Sequence, residues 1–156
     1  MGRRTGAVLV SLLLLLTLAV SASAAAVKMT VGVRFWRESG DKESMADSAV
    51  DTTREATLTR QPNGTFTLEL PVKQLSSMNM TGRLTGIAIG EVNYDGTLSG
   101  DLSDGTAVLT LKNLPASVLT GSDVNRSITV TCNIQMDMSL LGELNTTARM
   151  CIWNKK

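Results

Sequence analysis

The sequence predicts an all-β domain, an antiparallel sandwich or barrel of about eight strands. Three observations carry this. Apolar residues recur at every second position over most of the chain after residue 25. Turns rich in glycine and aspartate separate these runs at short spacing. No long stretch shows the 3.6-residue period of an amphipathic helix.

The chain has 156 residues, and residues 1–24 read as a secretory signal peptide. Arg3 and Arg4 form a positive start, Ala7 to Val20 is almost wholly apolar, and Ala22-Ser23-Ala24 has the small-x-small pattern of a cleavage site. The apolar run is 14 residues long. A membrane anchor needs roughly 20, so cleavage is favoured over retention as an anchor. Removing 24 residues leaves a single domain, 25–156, with 13 basic and 14 acidic side chains. That length is enough for one hydrophobic core.

The first strand runs through Val27, Met29, Val31, Val33 and Phe35, which alternate with Lys28, Thr30, Gly32 and Arg34. A polar loop then leads to one short helical turn at Ser44 to Ala49. Ala56 and Leu58 mark a second strand; Phe66, Leu68, Leu70 and Val72 mark a third. Pro62-Asn63-Gly64 between them is a hairpin signal. Residues 83–98 are less regular, with two short strands around Ile87 and Tyr94. Gly82, Gly86 and Gly90 in this region suggest bulges or turns. Ala107, Leu109 and Leu111 form the next strand. The longest run alternates from Ile128 through Val130, Cys132, Ile134 and Met136 to Met138.

The two cysteines belong to an exported domain, where a disulfide is the first reading. If Cys132 and Cys151 oppose each other across a hairpin, its turn falls between Leu141 and Gly142, where the sequence has loop character. The same register sets Trp153 opposite Val130, Arg149 opposite Ile134 and Thr147 opposite Met136. The alternative is a pair of free thiols. Met136, Met138 and Leu140 keep the hairpin tip apolar, either as core capped by a loop or as the lining of a groove.

Composition excludes several chemistries. The chain has no histidine, so His triads and His-ligated zinc or haem are ruled out. Aromatics are 3% and the formal charge is +1, which gives no footprint for nucleic acid. The turn aspartates Asp95, Asp101 and Asp104 do not follow the EF-hand spacing. No nucleophile has a base beside it, so the chain reads as a non-enzyme.

The order of these pieces resembles the NEAT (near-iron transporter) domain family. The resemblance rests on Val33-Arg34-Phe35-Trp36, the Ser44-Met45-Ala46-Asp47-Ser48-Ala49 turn, Gly64 to Leu70, Met80 to Leu84, and the last hairpin from Ile128 to Met138 and Ala148 to Trp153. It implies an immunoglobulin-like β-sandwich, secreted or associated with the cell surface of a Gram-positive-type cell. It also implies a haem groove between the short helix and the hairpin, with Ser44, Met45, Met136, Met138 and Arg149 as its residues. Family members place Tyr-x-x-x-Tyr on the second hairpin strand, whereas Asn145 to Arg149 here contains no tyrosine. Met45 and Met136 are then the candidate iron ligands, a soft pair suited to ferrous iron. Arg149 or Arg37 is the candidate partner for a propionate.

Two functional readings follow. One is an exported binding module for haem or another tetrapyrrole, with no cofactor that the residues themselves require. The other is the same sandwich without haem, contacting a cell-surface protein through loops or an edge strand. Neither involves nucleic acid, nor the membrane once the signal is cleaved.

Overall fold

The alternating runs become ten strands in a computed structural model that describes residues 25–77, 79–137 and 142–156. The signal-peptide segment, Met138 and Leu140 lie outside the described residues. The strands are β1 (Val27–Arg37), β2 (Ala56–Arg60), β3 (Phe66–Pro71), β4 (Leu75–Ser77), β5 (Met80–Ile89), β6 (Val92–Asp95), β7 (Thr97–Ser99), β8 (Val108–Leu114), β9 (Ile128–Met136) and β10 (Glu143–Asn154). Three 3₁₀ turns join them: η1 (Met45–Ala49), η2 (Ala116–Val118) and η3 (Val124–Arg126). The count exceeds the eight expected because the three-residue strands β4 and β7 are too brief to show a period.

All ladders are antiparallel, in the order β4-β5-β9-β10-β1-β2-β3-β8-β7, with β6 also on β5. The chain passes between the two layers of the sandwich twice. β1 pairs with β2 up to Val31 and with β10 from Val31 onward, so Val31 faces both Ala56 and Asn154. β6 pairs with β5, and β7 pairs with β8, with Gly96 as the only residue between them. Gly96 donates its N–H to the Thr85 carbonyl at 2.8 Å. A Cβ there would lie 2.3 Å from Leu109 Cδ1 and 2.8 Å from the Thr85 oxygen, so the crossing requires glycine.

Inward-facing positions of both layers fill one core: Val31, Val33 and Phe35 of β1 meet Leu58, Leu68, Leu70, Leu109 and Leu111 on one side. Ile87, Val130, Cys132, Ile134, Ala148, Met150 and Ile152 complete it from the other. Each fully buried aliphatic side chain contributes about 1.5–3 kcal/mol relative to exposure. The Asn63-Gly64 turn forms as expected, with Gly64 at φ 84° and the Asn63 side chain accepting from the Thr65 N–H. Gly90 turns β5 into β6 at φ 60°, and the β5–β9 register shifts between Leu84 and Gly86.

The expected Cys132–Cys151 disulfide is not formed; both cysteines are free and buried. The β9–β10 register sets Cys132 opposite Thr146, five positions from Cys151 along β10. An odd shift turns Cys151 to the other face of the sheet. Trp153 accordingly faces Gly32 of β1, Arg149 faces Thr129 and Thr147 faces Thr131, in place of the pairings expected. The outer face of β10 is apolar at Cys151 and Trp153 because other groups cover it. The segment holding η2 and η3 lies over β10: Thr120 and Gly121 donate to the Ile152 carbonyl at 3.0 and 2.9 Å, and the Cys151 thiol reaches the Asp123 carbonyl at 3.6 Å. Burial pushes the Cys132 thiol up to about 12 and raises that of Cys151.

Candidate functional site

The η1 turn is built onto the edge of β1. Past Val31 that edge has lost β2, and its peptide groups need other partners. Ser44 donates its backbone N–H to the Phe35 carbonyl at 2.8 Å, and the buried Asp47 carboxylate accepts the Phe35 N–H at 2.9 Å. The other Asp47 oxygen accepts from Arg34 at 2.8 Å, and Arg34 also pairs with Glu43 at 2.6 Å. Burial alone would lower the Arg34 pKa, but the hydrogen bond and charge of Asp47, with Glu43 beside it, raise it. Ser44 is the N-cap of η1, its hydroxyl accepting from the Ala46 N–H at 3.3 Å. The turn is therefore held rigidly over β1, β4, β5 and β10.

Of the residues expected at the site, Ser44 and Met45 sit together at the start of η1. Ser44 is buried, and Met45 is half-buried against the core. Met136 is 5% exposed, and a Cβ on its cross-strand neighbour Gly82 would meet its sulfur at 2.9 Å. It is core packing beneath the hairpin. Met138 lies outside the described residues. Arg149 is on the outer face of β10, and its guanidinium donates to the carbonyls of Arg37, at 2.9 Å, and Gly40. It ties the β1–η1 loop to β10.

The hairpin end opposite η1 is pinned as well. Thr81 donates to Asp137 at 2.5 Å, and the Asp137 N–H returns to the Thr81 carbonyl at 2.9 Å. Thr85, Gln135, Gly142 and Glu143 line an open depression of about 450 Å³ on this hairpin. Asp47 and Arg34, which fix η1, were invisible to sequence reasoning; an acid three residues after an N-cap serine is the one available signal.

The donors near η1 are few. Tyr94 is on β6 and packs against the core. The Cys132 thiol stays protonated at neutral pH, and a thiol ligates iron only as thiolate. Met45 is the one soft donor among the described residues that is both at η1 and partly accessible. The set fits a thioether-ligated iron centre and does not fit a phenolate or imidazole one.

No protein-family model matches the sequence, and no curated protein matches it. Solved structures do. The NEAT5 domain of IsdX2, a B. anthracis hemophore in complex with haem, superposes with a TM-score of 0.51 at 12% identity, covering 85% of this chain and 99% of that one. A point mutant of the same domain, also in complex with haem, gives 0.51 at 13% identity over 85% of this chain and 98% of that one. At this identity the likeness is one of fold: the chain is an immunoglobulin-like β-sandwich with the architecture of NEAT domains.

Proposed function

We propose that this chain is an exported, non-enzymatic binding module of NEAT type that takes haem or a related tetrapyrrole beside η1. The observation that carries the reading is the half-buried Met45 at the head of a turn locked to β1 by Ser44 and Asp47. That arrangement presents an apolar thioether on a turn anchored by hydrogen bonds to β1. The likeness of fold to domains solved with haem supports it. Ser44 and Met45 would line one wall, and Met45 would supply the donor to iron. Met136 would support the hairpin from within the core. Haem, when bound, would supply a redox-active iron whose ferrous state a thioether favours. Arg149 is already engaged by loop carbonyls, and β10 has no tyrosine. These two facts favour the second reading, a sandwich that contacts a cell-surface protein and no haem.

A haem titration of residues 25–156 separates the two. The expected result is a saturable Soret shift, stronger with ferrous haem, that Met45→Ala abolishes while the β spectrum is unchanged. A flat titration of well-folded protein refutes the haem reading and leaves the protein-contact one.

A further inference from the structure

Where β1 changes partners, one rung of its edge is left over. Phe35 directs its N–H to Asp47 and its carbonyl to Ser44, away from β10. Alternate residues of a strand point their peptide groups to the same side, so those of Val31 and Val33 face the same edge. There Val31 is paired with Ala56, and the Arg37 N–H meets the Lys42 carbonyl. Val33 lies between them with no partner on this edge among the described residues. Val33 is 6% exposed. A buried peptide with neither group paired is rare in folded proteins and calls for a partner from outside the ladder.

This rung opens into a cleft of about 180 Å³ between β1, the segment after η1 and the C-terminal end of β10. Val31, Val50 and Leu70 make it apolar, and the Trp153 ring lies over Gly32 at its side. Arg54 and Lys155 also line it, but the Arg54 guanidinium donates to the carbonyls of Gly105, Thr106 and Ala107 and lies 4.0 Å from Asp51. Arg34, at the same cleft, is occupied by Glu43 and Asp47. Lys155 has no ion pair among the described residues.

We propose that this cleft binds the C-terminal residue of a peptide with a small aliphatic side chain. An antiparallel rung exchanges one N–H and one C=O with its partner residue. A C-terminal residue brings one N–H, for the Val33 carbonyl, and a carboxylate oxygen, for the Val33 N–H. Nothing longer can pair, because Ala56 fills the next rung on one side and the Ser44–Asp47 cap fills it on the other. The carboxylate charge matches Lys155, the one lining cation without an ion pair among the described residues, and the volume is close to the ~150 Å³ of an apolar cavity that holds benzene. The site is separate from the face of η1 that carries Met45, so it stands whether or not haem binds.

The test titrates N-acetyl-Ala-Val into the purified protein, following the Trp153 indole N–H and the Val33 amide resonances. Saturable changes at both are expected. The C-terminal amide of the same peptide should bind about tenfold more weakly, the loss of one charge-assisted hydrogen bond. Lys155→Gln, on an exposed side chain, should weaken the acid about threefold with the fold intact. The absence of a saturable response, equal binding of acid and amide, or shifts that spare Val33 would each overturn the proposal.

Discussion

Replacing Asp47 with alanine should loosen η1 from β1 at a measurable cost. The carboxylate makes two contacts that differ in kind. One oxygen accepts the Phe35 N–H at 2.9 Å in a buried setting, and leaving that donor without an acceptor costs about 1–3 kcal/mol. The other oxygen meets Arg34 at 2.8 Å; that side chain is 36% exposed and keeps Glu43, so this pair adds no more than about 1 kcal/mol. Asp47→Ala should therefore destabilise by about 1–4 kcal/mol in urea denaturation with an unchanged m-value. Asp47→Asn keeps an oxygen for Phe35 and loses only the charge, so its cost should stay near 1 kcal/mol. Amide exchange at Phe35 should accelerate in the alanine variant and not in the asparagine one. If alanine costs less than about 1 kcal/mol, or if asparagine costs as much as alanine, the carboxylate is not the anchor of η1 described above.

Three further outcomes follow from the geometry. Both thiols should be inert to thiol reagents in the native protein and titrate as two on unfolding; an intact mass 2 Da lighter than the reduced form, the signature of a disulfide, would contradict this. Because burial raises the Cys132 pKa to about 12, the unfolded chain releases that proton first as pH rises. Its contribution is intact below about pH 9 and is lost between about 9 and 12, and Cys132→Ala should flatten this part of the stability profile relative to wild type. Gly96→Ala should cost about 1–3 kcal/mol or more, since its Cβ would collide with Leu109 and with the Thr85 backbone; a neutral result in thermal denaturation would show that the crossing between layers is not tight.

The period-two signal located the long strands because each has one wet face and one dry face. The polar loop leading into Ser44-Met45-Ala46-Asp47 marked the short helical turn, in which Ser44 stands one place earlier, as the N-cap of η1. The period did not locate the hairpin register. Alternation tells which residues share a face, and it says nothing of which rung they meet across the sheet. In β10 it also failed to say which face is inward, because Met150 and Ile152 on one side alternate with Cys151 and Trp153 on the other, and all four are apolar. The outer pair is apolar because Gly32 and the segment with η2 and η3 cover it. That cover arises from residues more than 20 positions away, beyond any local pattern. The candidate site was legible in its helical half, Ser44 and Met45. Arg149 looked available because its partners are backbone carbonyls, which no sequence displays.

The pairing of the first strand with the last has a mechanical consequence. Val31 meets Asn154 at one end of the β1–β10 ladder and Arg37 meets Ala148 at the other, so the start of β1 and the end of β10 lie at the same pole. Arg37 and the loop that leads to η1 lie at the opposite pole, about 20 Å farther along β1. A tether at either terminus would present the η1 pole outward, away from its anchorage. Tension between these two ends would load the outermost rungs first, Val27–Arg60 on β2 and Val31–Asn154 on β10, and open each ladder one rung at a time, as a zipper. Such a pairing of first strand with last is poorly shaped to carry a pull between these two ends.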